Sequence, residues 1–155
     1  MNWLLEALLS FLAAGAFGII FNIPKKTLIS CGLVGMSGWM FYRSYLFLFD
    51  DPIQGTFVGA FIVAIVAHIL AKIFKMPMII FSVAGIIPLV PGGRAYNSMR
   101  NIVENDYMEA IDFGAQALMI SGAIAMGLVF AEVLMQLYFK YQARRTQKKM
   151  GLTQE

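Results

Sequence analysis

The chain has 155 residues, of which 59% are hydrophobic and only 14% charged, with a formal net charge of +3. Soluble domains carry about 25% charged residues, and a chain this short has too little interior to hide so much apolar surface, so a water-soluble single domain is excluded and a lipid solvent is implied. The single cysteine, Cys31, excludes an internal disulfide framework and any multi-cysteine metal site.

A helix that crosses a bilayer needs about 20 mostly apolar residues. The first such segment is 3–21, closed by Asn22-Ile23-Pro24-Lys25-Lys26. It lacks the basic start of a secretory signal and contains Glu6, so it reads as a retained span with Glu6 near its outer, wet end. The second is 27–49, closed by Asp50-Asp51-Pro52, and the third is 53–74. The fourth, 76–90, is short and ends in prolines. An amphipathic segment, 95–111, precedes the fifth span, 113–139. The expectation is an all-α, polytopic membrane domain over 1–139 with five transmembrane helices, followed by a basic cytoplasmic tail, 140–155.

Charge orients this layout. Lys25, Lys26, Lys72, Lys75 and the basic residues of the tail fall on one side, leaving Arg43, Arg94 and Arg100 on the other. Basic loops stay in the cytoplasm, which predicts N-out, C-in. The tail would also meet anionic lipids; the basic residues do not form a soluble face that would bind nucleic acid. Gly32, Gly35 and Gly38, then Gly55 and Gly59, then Ala123, Gly127 and Ala131 predict close helix contacts. Such faces also allow a homo-oligomer.

The residues with chemistry lie in 82–112. At about 22 Å, the 76–90 helix is shorter than a hydrocarbon core of about 30 Å. Pro88 and Pro91 remove backbone donors, and Gly92-Gly93 permits a turn. Broken helices of this kind line solute sites in transporters; an ordinary helix ending early in an outside loop is the other reading. Beyond the break, Tyr96, Met99, Val103 and Tyr107 recur at helical spacing, opposite Arg94, Asn97, Arg100, Asn101, Glu104 and Asn105. Arg94 is the candidate contact for a solute carboxylate, which guanidinium holds in a fork, with Tyr96 and Asn97 in support; pairing with local acids is the alternative. Arg100 is spaced to pair with Glu104.

Glu132 and His68 are the candidates for a coupling proton, although both lie near basic cytoplasmic ends and suit an interfacial position as well. Gln116 and Gln136 read as interhelical hydrogen-bonders. No metal-ligand cluster, nucleotide loop or hydrolase motif is present, so neither an enzyme activity nor a cofactor is expected.

Three stretches carry a resemblance: Phe21-Asn22-Ile23-Pro24; Gly32-Leu33-Val34-Gly35 with Gly38-Trp39; and above all Ile87-Pro88-Leu89-Val90-Pro91-Gly92 with Ala95-Tyr96. They resemble the threonine/serine exporter family in its short five-span form (the YjjB type, or second ThrE domain), over nearly the whole chain to about Tyr138. The resemblance implies an inner-membrane exporter of small amino acids or dicarboxylates. It also implies a larger partner subunit supplying the other five-span half, in opposite orientation as in inverted-repeat transporters. A structural or regulatory subunit without its own solute path is the rival reading.

Overall fold

The computed structural model describes residues 2–151, with side chains through Tyr141. Six α-helices follow one another: α1 (Trp3–Ile20), α2 (Leu28–Phe49), α3 (Pro52–Phe74), α4 (Ile79–Ile86), α5 (Gly92–Val103) and α6 (Tyr107–Gly151), with 3-10 turns at Lys25–Thr27 and Ile87–Leu89. No strand occurs among the described residues.

The ends of these helices are written into the sequence. Asn22 takes a left-handed φ of 54°. The Asn22 N–H then reaches Ile19 O at 3.0 Å, and the Ile23 N–H reaches Gly18 O at 2.9 Å. This Schellman closure satisfies carbonyls that the end of α1 leaves open. Asp50, at φ 52°, ends α2, and its neighbour Asp51 caps α3 by accepting from Ile53 N at 2.9 Å and Gln54 N at 3.2 Å. Pro52 fills the first helical position, where no N–H is needed. Lys75 and Asn105 end α3 and α5 in the same left-handed conformation.

Close contacts fix the helix directions. Gly18 lies against Leu28, Gly32 against Phe11 and Trp3 against Phe47, so α1 and α2 are antiparallel. Gly38 meets Gly59 and Val63, and Gly55 meets Tyr42, so α2 and α3 are antiparallel. Cys31 Sγ points at Ile80 O at 3.7 Å, Val34 packs on Gly85 and Gly35 on Pro88, so α4 runs parallel to α2. Gly127 sits against Phe57 and Ala60, and Lys72 Nζ lies 4.4 Å over the Phe139 ring, so α6 runs parallel to α3. The core of Cys31, Val34, Ala60, Val63, Phe81, Ala84 and Leu89 occupies the space where α2, α3 and α4 meet.

Three helices are long and apolar enough to cross a membrane: α1, α3 and the 107–141 part of α6. A fourth span is present if α4 and α5 count as one bent pair. α2 is as long, at 22 residues, but it carries Ser, Gly, Tyr and Arg43. It packs on α1, α3 and α4 at once, so much of its surface meets protein rather than lipid.

Three boundaries differ from the sequence expectation. The segment 76–90 is helical only from Ile79, since Pro77 precedes its first turn, and it tightens at Ile87. The amphipathic segment 95–111 is really two pieces. α5 starts at Gly92 and stops at Val103, and the left-handed Asn105 reverses the chain. Tyr107 to Ile111 therefore belongs to α6, which begins before Phe113 and does not end at Phe139. The four residues after Gly151, and the tail side chains Arg144, Arg145, Lys148 and Lys149 on which a lipid contact was expected, lie outside the described set.

The glycine pattern makes a stability prediction. A Cβ on Gly38 would stand 2.3 Å from Val63 Cγ2, whereas one on Gly122 meets nothing within 4 Å. Gly38→Ala should cost about 1–3 kcal/mol through overpacking. Gly122→Ala should be neutral or stabilise by up to about 1 kcal/mol through helix propensity. Thermal unfolding in detergent, followed by helicity, checks both.

Candidate functional site

The site begins where α4 stops. Pro88 and Pro91 have no N–H, so carbonyls one turn back lose their helical donors. Val90 is extended, at φ −62° and ψ 130°. The Gly92 N–H returns to Val90 O at 2.8 Å, closing a three-residue turn around Pro91. The turn expected of Gly92-Gly93 is thus made one step earlier. Neither glycine has a positive φ, and both simply open α5. α5 leaves at 52° to the preceding helix.

This break begins inside the bundle and leaves it, for Leu89 is buried whereas Val90, Gly92 and Gly93 are exposed. Pro88 packs on Gly35, and Leu89 on Gly38 and Gly59. Gly38 stands about 15 Å along α2, whose 22 residues span about 33 Å. The helix interruption therefore starts at about mid-height of α2. From there α5 climbs and pairs antiparallel with the start of α6. Ser98 Oγ donates to Ala110 O at 2.7 Å, Asn101 Nδ2 approaches Glu109 Oε2 at 3.4 Å, and Arg94 Nη1 donates to Gln116 Oε1. The polar face of α5 is thus turned towards α6, and its apolar face, with Tyr96, Met99 and Val103, is exposed. In water that face would be covered; facing lipid it need not be.

A cavity of about 280 Å³ fills the angle of the break. Its walls are Pro88, Leu89, Val90 and Pro91, with Trp39 and Tyr42 from α2, Thr56 from α3, Gly93 and Arg94 from α5, and Ile120 from α6. Of the sequence candidates, Pro88, Pro91 and Arg94 line it. Gly92 adjoins it in the chain, and Asn97 is half-buried about one turn further along α5. Tyr96 is 66% exposed and does not line this cavity. The N–H groups of Gly93 and Arg94 belong to the first turn of α5, which has no acceptors of its own and carries partial positive charge.

Gln116 holds the Arg94 guanidinium through its side-chain oxygen. Gln116 in turn donates through Nε2 to Asp112 Oδ2 at 2.8 Å. A neutral amide occupies one donor and leaves the charge and the remaining donors of Arg94 available to an anion. Arg100 pairs with Glu104 at 2.8 Å on the exposed surface, as its spacing implies.

A second cavity, of about 230 Å³, lies on the α1 side, between Glu6, Leu9, Ser10, Ala13, Trp39 and Pro88. Trp39 and Pro88 line both cavities. Glu6 does not simply reach water. Its carboxylate is paired with Arg43 (Nε–Oε2 2.7 Å), with the two side chains 18% and 24% exposed respectively. It also accepts from Arg43 Nη2 at 3.1 Å and from Trp39 Nε1 at 3.3 Å. Sequence reasoning missed Trp39, Tyr42, Thr56 and Glu6 as a group. Only the antiparallel packing of α2 on α1 and on α3, with the break beside them, places them around the two cavities.

Glu132 and His68 lie elsewhere. Glu132 is exposed and accepts from Gln136 at 3.2 Å. It is about 18 Å along α6 from Ile120. His68 is half-buried, its Nδ1 3.1 Å from Ala64 O, and about 18 Å along α3 from Thr56. No group of His, Cys, Asp and Glu able to hold a metal ion occurs among the described residues.

The sequence profile described as "Threonine/Serine exporter, ThrE" matches residues 6–134, from Glu6 to beyond the cavity-lining part of α6. The chain belongs to the threonine/serine exporter family. A "Threonine/serine exporter" of Corynebacterium glutamicum is 29% identical over 120 residues, which are 77% of this chain and 24% of that protein. A Haemophilus influenzae protein whose name assigns no function is 27% identical over 143 residues, 86% of this chain and 48% of that one. The chain thus spans about a quarter to a half of the length of these relatives. No solved structure matches. Family and helices together make this a multi-pass protein of the cell membrane.

Distance from both cavities makes a prediction for the two coupling candidates. Glu132→Gln and His68→Asn should each keep at least half of wild-type solute export. Metabolite release from expressing cells, normalised to the amount of protein in the membrane, measures it.

Proposed function

We propose that this chain is one half of a secondary exporter for small carboxylate-bearing metabolites, of the threonine/serine or succinate-like kind, and that the cavity at the Pro88–Pro91 break takes the solute carboxylate. The observation that carries the reading is an arginine, held by a neutral amide, on the wall of a cavity that starts at mid-bundle. Arg94 and the N-terminal amides of α5 supply the positive charge, while Trp39, Tyr42 and Ile120 offer apolar and aromatic wall to the rest of the solute. A cavity of about 280 Å³ suits one small metabolite, being at the lower end of ligand pockets of about 300–1,000 Å³.

The helix directions support five crossings. With α1 taken as descending, α2 ascends, α3 descends, α4 with α5 ascends and α6 descends, so the two chain ends face opposite sides. Lys25, Lys26, Lys72 and Lys75 then share one end of the bundle, which favours N-out, C-in. The larger partner subunit would supply the remaining half of the path. The rival is a supporting subunit whose partner alone forms the path. Reconstitution separates the two: a partner that transports at full rate without this chain makes it a support.

Arg94→Ala, in cells that also make the partner, should lower export by about 10- to 100-fold, the range expected for loss of a charge-assisted contact of about 1.5–3 kcal/mol. Gln116→Glu is the sharper test. A carboxylate there would pair with Arg94 and compete with the solute, so export should fall by tenfold or more, whereas Gln116→Leu should have a smaller effect. Wild-type export in Arg94→Ala or Gln116→Glu, at normal expression, removes the carboxylate site from the mechanism.

A further inference from the structure

Trp39 is the one aromatic ring that belongs to both cavities; its ring meets Tyr42 with centroids 5.2 Å apart, and one polar contact ties its indole. Its Nε1–H donates to the Glu6 carboxylate at 3.3 Å, which is itself clamped by Arg43 at 2.7 and 3.1 Å. The other wall shared by the two cavities is the Pro88 ring. Neither wall is packed solid, since an opening of about 230 Å³ lies on one side and one of about 280 Å³ on the other. The floor of the α1-side cavity runs along Glu6, Ser10 and Ala13, which recur at about one turn on one face of α1. That face carries two polar side chains in a helix that is otherwise apolar. A strip of this kind leads from near the start of α1 to the break.

We infer that Trp39 and Pro88 form a gate between the two cavities, and that Glu6 is a positioning residue that holds Trp39 in the closed arrangement while Arg43 holds Glu6. The inference rests on reading the larger cavity as the solute site. It adds the route by which a small polar solute leaves or enters that site, along the Glu6–Ser10–Ala13 face of α1. Arg43 is the one charged group paired with Glu6 among the described residues. Trp39 and Pro88 are neutral, so the latch is a single ion pair with one neutral donor. Hydrogen bonds to charged groups in poorly solvated surroundings are the stronger ones, so a change at Glu6 has the leverage to free the ring.

The chain has two tryptophans, Trp3 and Trp39, so a Trp3→Phe background isolates the gate as a fluorophore. Quenching of Trp39 by acrylamide is read on the full chain in solute-free membrane vesicles, and efflux of threonine or succinate on separate preloaded vesicles that also hold the partner subunit. Glu6→Gln keeps an acceptor for the indole N–H but loses the ion pair, and Glu6→Leu loses both. Quenching should rise from wild type to Glu6→Gln to Glu6→Leu, by at least threefold across the series, and passive efflux should rise in the same order. Glu6→Gln, close in size to the native residue, decides the case where Glu6→Leu does not fold. Unchanged quenching in Glu6→Gln overturns the latch. Increased quenching with unchanged efflux overturns the gate and leaves a packing contact. Quenching is read without solute, so it stands apart from the Arg94 test. Rising quenching alongside wild-type export in Arg94→Ala would keep the latch and discard the carboxylate site.

Discussion

Backbone N–H and C=O groups released inside a membrane bundle must find a partner, because hydrocarbon offers none. Pro88 and Pro91 release such groups at about mid-height of α2, and the rest of the architecture follows from housing them. α4 can break there because it is flanked by α2 and α3, which come close because Gly38 and Gly59 carry no Cβ, while Gly35 admits Ala14 of α1 and Pro88. A Cβ on Gly59 would lie 2.9 Å from Gly38 O, and one on Gly85 would lie 2.4 Å from Val34. The glycines are therefore not a separate packing motif. They pack Pro88 and Leu89, where the helix is interrupted, against protein, and a cavity lies in the angle beyond.

The same constraint accounts for the arrangement of α5. Its polar residues face α6, where Ser98, Asn101 and Arg94 find Ala110, Glu109 and Gln116, and its apolar residues face outward. One arginine of this hairpin is thereby brought to the cavity wall without a carboxylate in direct contact. The other, Arg100, stays outside with Glu104. Two arginines of similar sequence context acquire different roles because α5 has two faces and only one looks toward the break.

Much of this was legible from the residues. The Asn22 and Asp50-Asp51-Pro52 signals ended and started helices as their chemistry requires, and the two prolines marked the interruption. The Arg100–Glu104 spacing gave its ion pair. Three features were not legible, for reasons of geometry. The left-handed Asn105 split an apparently continuous periodic run, since an asparagine in a polar stretch carries no unique turn signal. Tyr96 and Arg94 stand two residues apart, so on a helix they point to different sides, and only Arg94 lines the cavity. The group formed by Glu6, Trp39 and Arg43 joins residues of different helices, and no local pattern in either helix announces it.

The claim on which the account stands is that the chain opens within the bilayer at Val90, beside a space that water enters. A spin label on Val90→Cys, in a Cys31→Ala background in lipid vesicles, measures depth and water access together through relaxation by oxygen and by a water-soluble nickel complex. The account predicts a label below the headgroups, within the hydrocarbon core of about 30 Å, that the nickel complex still reaches. A label at headgroup depth, or one deep in the core that only oxygen relaxes, would contradict it.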